Sequence, residues 1–335
     1  MQVEPGVSVV MTTYNGERYL PAQLESIGRQ TRPPDELVVG DDQSSDNTAA
    51  LVAEFAQRHP HIAVRFERNA TRLGSSANFE AAIRRSRRAL VVFADQDDVW
   101  FPQRIACLQD ALDANPGAGY AFSNGKLMDG DGQPMDGTLF DSIDFSASER
   151  RAFRDGAGWR VLLRRNVVTG AALAVRRTAL MAALPVEPDW IHDYFLALRL
   201  QVFAPGVLID EPLIHYRRHA AQQVGVASNS LQAALAYARK QDAQQCLTEA
   251  NAWAALARRL QQEPDGSTAS RLQDVFTKQD FFQLRARMRA QPWLAPALML
   301  RATLRGDYHR LSLGMKQLLV DVLAVASAVA QPGRR

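Results

Sequence analysis

Two aspartates, Asp95 and Asp97, follow the unbroken apolar run Leu90–Phe93. Residues i and i+2 of an extended segment point the same way, so both carboxylates can face one hard cation. Mg2+ or Mn2+ takes oxygen ligands and keeps positions open for water and substrate phosphates. The pair therefore reads as a seat for a diphosphate held through a metal. Two more polar groups occupy equivalent places: Thr12-Thr13-Tyr14-Asn15 after Val7–Met11, and Asp41-Asp42 after Leu37–Gly40. With Asp98, five carboxylates then lie just past apolar strands, a gathering that is costly without a counter-cation. A single such residue is less telling, and Asp46 is as well explained by a turn or helix N-cap. The chain has no GxxxxGK[ST] loop, which argues against P-loop chemistry.

Other polar residues carry weaker signals. Asp193 opens a helical run after His192, where an acid also suits the helix dipole. His215 and His219 are four apart, a spacing that binds zinc on a helix, but Pro212 and Ile214–Tyr216 read as a strand leading into a loop. With no third ligand apparent, zinc is disfavoured and His215 is expected to pack at a sheet edge. Arg217 and Arg218 suit a phosphate clamp or a solvated basic turn equally. Trp100 suits either an apolar wall for a ligand or the core.

The elements that must position these groups alternate through the first 122 residues. Strands are expected at Val7–Met11, Leu37–Gly40, Val64–Glu67, Leu90–Phe93 and Tyr120–Phe122. Helices are expected at Glu17–Gln30, Thr48–Arg58, Ser76–Arg87 and from Pro102 to about Ala114. Continuous apolar strands between helices imply a mostly parallel sheet covered on both faces. Ligands of such sheets bind outside the carboxyl ends of the strands, where all three polar groups lie. Residues 123–158 break the rhythm and read as an insertion near the open edge of the sheet. Ala171–Val175, Val207–Ile209 and Leu213–Tyr216 are strand-like and Ile191–Val202 is helical. From about Ser228 the pattern is helical, with breaks at Pro264–Ser267, Gln291-Pro292 and Gly306. The expected division is 1–227 and 228–335.

Of 335 residues 47% are hydrophobic, enough for a full core and against a disordered or fibrous chain. The net charge of +3 divides unevenly: residues 1–227 carry −4 and residues 228–335 carry +7. An acidic body opposes nucleic-acid binding, and a basic C-terminal part implies a different neighbour. Cys107 and Cys246 stand apart, so neither a disulfide framework nor a cysteine zinc site is expected, and a reducing compartment fits. No signal peptide is read at the N-terminus. The run Leu318–Ala330 is interrupted by Asp321 and is shorter than the ~20 residues a spanning helix needs, so no transmembrane segment is expected.

The order of the motifs carries a resemblance. Val7-Ser-Val-Val-Met-Thr-Thr-Tyr-Asn15, Asp41-Asp-Gln-Ser-Ser-Asp-Asn-Thr48 and Phe93-Ala-Asp-Gln-Asp-Asp-Val-Trp-Phe-Pro102 resemble the successive motifs of family 2 glycosyltransferases. The Asp-Gln-Asp-Asp-x-Trp form, Asn78-Phe79, His192-Asp193-Tyr194 and Tyr216-Arg-Arg-His219 resemble the bacterial rhamnosyltransferase-like branch, over roughly residues 7–225. The resemblance implies a GT-A-like (Rossmann-like) α/β domain with a helical C-terminal extension. It implies a metal-dependent, inverting transfer of a sugar from a nucleotide-diphosphate donor, dTDP-rhamnose for this branch, to a glycan acceptor in bacterial surface polysaccharide or O-antigen assembly. Thr12 and Tyr14 match the positions that hold the nucleotide base, and Asp42 that of the carboxylate accepting the base N–H, with Asp41 a weaker candidate. Asp95 faces the ribose or the metal, Asp97 ligates Mg2+ or Mn2+, His219 reaches the metal or diphosphate, and Asp193 is the catalytic base. Thr169-Gly170-Ala171 matches a small-residue turn on the acceptor side. Two departures stand out: Gln43 replaces the commoner glycine after the paired aspartates, and Arg88-Ala89 replaces a small-acidic pair.

Two other readings stay open on the residues. One is a nucleotide-sugar-binding protein without turnover, against which Asp97 and Asp193 speak by being present. The other is a nucleotidyltransferase, which would show a Gly- and Lys/Arg-rich loop where Thr12–Asn15 stands. In the C-terminal part, Phe281, Phe282, Leu284, Met288, Trp293, Leu294, Leu298 and Met299 are interleaved with Arg285, Arg287, Arg289, Arg301, Arg305 and Arg310. Such a segment can lie in the interface of an anionic bilayer, which would place a cytoplasmic enzyme at the inner face of the membrane beside lipid-linked acceptors. Packing within the protein or a dimer face competes with that reading.

Overall fold

The computed structural model describes residues 4–219, 241–262 and 268–330. Apolar runs form strands β1 (Glu4–Thr13), β2 (Glu36–Asp41) and β4 (Arg88–Asp95), and the alternating, half-exposed Ala63–Arg68 forms β3; the four are parallel in the order β3-β2-β1-β4. Alternation along them divides the core. Val9, Met11, Leu37, Val39 and Val92 pack with helices α1 (Leu20–Gly28), α2 (Thr48–Arg58) and, further along, Ile105 and Leu108. Helix α3 (Ser75–Arg85) packs on β1 and β2, with Phe79 stacked on Phe93 at 5.6 Å between ring centroids. The expected helices exist, Thr48–Arg58 to the residue and the others with ends shifted by one to three residues, and α4 spans Arg104–Asp113.

The second half of the sheet departs from expectation. Strands β5 (Val99–Trp100), β6 (Tyr120–Met128), β7 (Pro134–Thr138), β8 (Leu173–Arg176) and β9 (Gly206–Arg217) complete nine strands in the order β3-β2-β1-β4-β8-β6-β9-β5, with β7 beside β6. β8 is antiparallel to both β4 and β6, β5 to β9 and β7 to β6, while β6 and β9 are parallel. Four of the eight ladders are thus antiparallel and the sheet is mixed. An apolar run shows that a strand is buried but not which way it points, which is why the sequence pattern suggested mostly parallel pairing.

Residues 123–158 are likewise more than an insertion: β6 runs on to Met128, and β7 and short helices α5 (Leu139–Ser142) and α6 (Ala147–Ala152) follow. Capping boxes open both helices, Thr138 with Asp141 and Ser146 with Glu149; that spacing is a readable start signal. The two runs expected near 207 and 213 are one strand, β9. Arg88, which with Ala89 replaces the small-acidic pair, opens β4 opposite Glu4 and pairs with it at 2.9 Å.

The chain divides into two compact units. Among the described residues the first holds 4–158, 167–186 and 190–219, and the second holds 159–166, 187–189, 241–262 and 268–330. The expected boundary at 227/228 and the expected break at Pro264–Ser267 lie outside the described residues. Trp159–Asn166 falls in the second unit, where Trp159 donates its indole N–H to Asp274 at 2.9 Å. That unit is built on the helices Ala243–Gln261 and Thr268–Ala290, which bury Trp253, Leu256, Val275, Phe281 and Met288. Asp321 is buried on the helix Met315–Ala330 and accepts from Arg285 at 3.0 Å, Arg289 at 2.8 Å and Tyr308 at 3.1 Å. Burial raises its pKa and the two guanidinium groups more than offset this, holding it below the usual carboxylate range. Phe281, Met288, Arg285 and Arg289 are therefore interior, a correction to the expected membrane-facing segment, whereas Trp293 is 72% exposed.

Candidate active site

Strand register builds the rim. Thr12 lies opposite Gly40 of β2 and Asp95 of β4, and Thr13 lies opposite Asp41. The segments after β1, β2 and β4 therefore leave the sheet at one level. Because β8 is antiparallel to β4, the 3-10 turn Gly170–Ala172 that precedes it reaches the same rim.

Gln96 joins the first and third motifs. Its side-chain Oε1 accepts from the Tyr14 N–H at 2.9 Å and its Nε2 donates to the Tyr14 carbonyl at 3.2 Å. The amide thus acts as one more rung of the ladder and fixes the Tyr14 backbone. A Cβ at Gly16 would meet Gln96 Oε1 at 2.6 Å, so glycine permits this approach. Tyr14 is half-buried, and the Arg72 guanidinium lies 3.6 Å from its ring centroid, a cation–π contact. Thr12 is half-buried beside it.

Asp41 and Asp42 have separate tasks. Asp41 accepts from the Thr13 hydroxyl at 2.8 Å and the Ser44 N–H at 3.0 Å, so its carboxylate closes the loop after β2. Asp42 accepts from the Leu73 N–H at 2.7 Å, the Gly74 N–H at 2.9 Å and Asn69 at 3.2 Å. It thereby holds the 69–74 loop that carries Arg72. Asn78 braces the same end of β2, donating to the Gly40 carbonyl at 2.8 Å. Gln43 has φ 69°, the left-handed region that glycine favours, and its side-chain amide bonds the Asn69 carbonyl.

The acidic group is tighter than the sequence shows. Carboxylate oxygens of Asp95, Asp97 and Asp98 lie within 4.8 Å of one another. Asp98 is buried; one oxygen accepts from the Arg217 N–H at 2.9 Å and the other, Oδ2, has no hydrogen-bond partner among the described residues. Burial, together with Asp97 and Asp193, pushes Asp95 up to about 7, against the pull of Arg104. Burial, Asp97 and Asp95 drive Asp98 well above the usual range, with the Arg217 N–H and Arg104 opposing. Arg104 is itself fully buried, lies 4.3 Å over the Trp100 ring and donates to the Phe93 carbonyl at 3.2 Å. Burial brings its pKa down to about 9. Arg104 acts on Asp95 and Asp98 but does not outweigh burial and the neighbouring carboxylates at either. An all-oxygen donor set with an orphaned buried Oδ2 fits a hard divalent cation such as Mg2+ or Mn2+.

The remaining candidates approach this group. Nε2 of His219 lies 2.8 Å from Asp97 Oδ2, and its ring stacks at 4.7 Å on Tyr19. Asp193 sits in the first turn of helix His192–Phe203, half-exposed, with Oδ2 accepting from the Gly170 N–H at 2.9 Å. His192 beside it is buried, stacks on Phe79 at 4.2 Å, and is held below the usual histidine range chiefly by burial. A Cβ at Gly170 would come within 3.0 Å of His192 Nε2 and 3.4 Å of Asp193 Cβ. Thus Thr12, Tyr14, Asp42, Asp95, Asp97, Asp193 and His219 all belong to the first unit, and the acidic group directly joins Asp95, Asp97, His219 and, through its charge on Asp95, Asp193.

Several sequence readings change. Arg217 is neither a phosphate clamp nor a solvated turn: it is buried and donates to the carbonyls of Asp97 at 2.6 Å and Asp129 at 3.2 Å. Trp100 is a core residue, 3% exposed. His215 stacks on Phe101 at 4.4 Å on the strand next to the sheet edge. Sequence counted Asp98 among the five carboxylates but gave it no separate role, and it did not single out Arg104, Gln96 or Tyr19, which depend on contacts far apart in the chain.

Comparison with known proteins bears on the family and the fold. The Mycobacterium tuberculosis protein Rv1520 is 28% identical over 216 residues, which is 64% of this chain but only 59% of that protein's length. The dTDP-rhamnosyl transferase RfbG of Shigella flexneri is 26% identical over 228 residues, covering 64% of this chain and 73% of that one. The mannosyltransferase PcManGT of Pyrobaculum calidifontis, solved with GDP-Man and Mn2+, superposes with a TM-score of 0.53 at 18% identity over 98% of this chain and 87% of its own. That likeness shows a GT-A-like fold, a mixed sheet flanked by helices, followed here by a helical C-terminal region. The model of the glycosyl transferase family 2 matches residues 8–176, just over half of the chain, and the chain belongs to that family.

Proposed function

We propose that this protein is an inverting, metal-dependent glycosyltransferase that moves rhamnose from dTDP-rhamnose to a glycan or lipid-linked glycan acceptor in bacterial surface polysaccharide synthesis. One observation carries the reading: Asp95, Asp97 and Asp98 converge on the rim where the nucleotide-side residues Thr12, Tyr14 and Asp42 also emerge, with Asp193, held by the acceptor-side turn through the Gly170 N–H, acting on Asp95. Tyr14 stacks the thymine base once Arg72 yields or shares its ring, and Asp42 Oδ2 has acceptor capacity left for the base N–H. Asp95 meets the ribose. Asp97 and His219, whose facing atoms are 2.8 Å apart, would hold Mg2+ or Mn2+ beside the carboxylates of Asp95 and Asp98. A cation held there would neutralise charge on the leaving diphosphate.

Asp193 takes the proton from the acceptor hydroxyl as its oxygen bonds to the sugar C1 and the C1–O bond to the diphosphate breaks. The Gly170 N–H fixes its orientation. Rhamnose is favoured by the likeness to RfbG and by the motif branch; the metal is favoured by the carboxylate group and by the Mn2+ that accompanies GDP-Man in PcManGT. The reaction is placed in the cytoplasm, at the inner face of the membrane where a lipid-linked acceptor is presented. Among the described residues no helix is long and apolar enough to cross a membrane.

The test is a panel of dTDP-, UDP- and GDP-sugars with Mn2+, scored for nucleoside diphosphate release. Release of dTDP from dTDP-rhamnose above the others supports the reading. Preference for another sugar overturns the donor, and donor binding without release under any acceptor leaves a binding protein in its place.

A further inference from the structure

Within the second unit, the helix Met315–Ala330 is amphipathic with the faces reversed from the usual order. Met315, Leu319, Val322, Ala326 and Val329 recur every three or four residues and are all exposed, while Gln317, Asp321 and Ala324 face inward. A helix of a water-soluble protein normally turns its apolar stripe to the core. The turn Pro292–Leu294 packs against this helix and carries the exposed Trp293. The helix Ala295–Leu304 that follows exposes Leu300 and Leu304, the latter at 79%. Exposed apolar surface on this scale marks an interaction site.

The charges around it select the partner. Residues 281–330 contain two carboxylates, Asp307 and Asp321, and both are buried. Arg287, Arg301, Arg305 and Arg310 are exposed. The face is therefore apolar and predominantly cationic; Asp280, just before this stretch, is an exposed carboxylate on the helix Thr268–Ala290. A second copy docking here about a two-fold axis would bring like charges together. Nucleic acid matches the charge but offers nothing to an aliphatic stripe of Leu, Met and Val. An anionic lipid surface matches both, with tryptophan suited to the headgroup boundary.

We infer that this face of the second unit docks in the interface plane of an anionic bilayer, through Trp293, Leu300, Leu304, Met315, Leu319 and Val322. It rests on the proposed glycosyltransferase reading only for its purpose, presenting the protein to a lipid-linked acceptor. Docking itself is measured without donor or acceptor, so the two can fail separately.

The experiment is flotation of the full chain with phosphatidylcholine vesicles, with and without phosphatidylglycerol, at low and high salt, alongside light scattering. The protein should float with the phosphatidylglycerol vesicles at low salt and be released as salt rises. Arg301→Gln/Arg305→Gln should weaken partition about thirtyfold, and Leu300→Gln/Leu304→Gln/Leu319→Gln should abolish it. Leu304→Gln alone, at the most exposed position, gives the same reading if the triple variant misfolds. Absence of flotation at low salt, equal flotation of the variants, or a wild-type dimer that the leucine variants split and that does not float would each overturn the inference.

Discussion

Asp97 and Asp193 divide the work at the residue scale. Asp97 lies between Asp95 and Asp98, raises the pKa of both, and meets His219 at 2.8 Å. Asp97→Asn removes the charge at the centre of the cation seat with little change in shape. It should lose most Mn2+-dependent dTDP binding while keeping the wild-type unfolding midpoint; calorimetry with and without Mn2+ reads this directly, and unchanged metal-dependent binding would remove Asp97 from the seat. Asp193→Asn should behave differently. In the proposed reaction the base acts on the acceptor, so nucleoside diphosphate affinity should hold while transfer falls by about 10²-fold or more. A variant keeping a tenth of wild-type turnover would reduce Asp193 to the helix-dipole role that its first-turn position also suits. Both residues could be named as candidates from sequence because they sit in short motifs. Asp98 could be counted with the acids, but its orphaned oxygen could not be read, nor could the guanidinium of Arg104 over Trp100 or the Gln96 amide bridging to Tyr14, none of which is local in sequence.

Elements set these residues at one level, and the sequence revealed them unevenly. Strands β1, β2 and β4 announce themselves as apolar runs and β3 by alternation, and their parallel register follows from the helices between them. β5 is two residues long and β7 is largely exposed, so neither has a periodic signature; β8 reads as strand-like at Ala171–Val175, but its reversed direction is not legible. The loop after β2 offers a sharp test. Gln43 holds φ 69° where glycine is the commoner family residue, and its amide bonds the Asn69 carbonyl. A left-handed non-glycine residue costs about 1–2 kcal/mol, while a hydrogen bond contributes roughly 0.5–1.5 kcal/mol. Gln43→Gly loses the bond but relieves the backbone; Gln43→Ala loses the bond and keeps the strain. The glycine variant should therefore be more stable than the alanine variant by about 1 kcal/mol, the reverse of the usual order. Urea midpoints of the two variants decide it, and an alanine variant at least as stable as the glycine one would show that the loop relaxes out of this conformation.

At the scale of the whole molecule, the charge asymmetry seen in the sequence maps onto units with different interiors. The first gathers carboxylates at a rim; the second buries cations. Lys278 is 3% exposed in the second unit, donating to the carbonyls of Arg164, at 3.3 Å, and Leu311. Burial first, then Arg285 and Arg164, bring its pKa from 10.5 down to about 7, with Glu249 opposing. Below about 7 the amine is protonated in both folded and unfolded chains, and the full cost of the buried charge is present. Between about 7 and 10.5 the unfolded chain binds a proton that the folded chain lacks, so this residue makes stability rise with pH. The slope is at most about 1.4 kcal/mol per pH unit. Lys278→Met keeps the length of the side chain and removes the titrating group. From pH 7 to pH 9 wild type should therefore gain roughly 1–3 kcal/mol relative to Lys278→Met in urea unfolding of the full chain. Parallel pH dependence in the two proteins would mean that Lys278 keeps its proton when folded, and that its carbonyl partners compensate the burial of the charge.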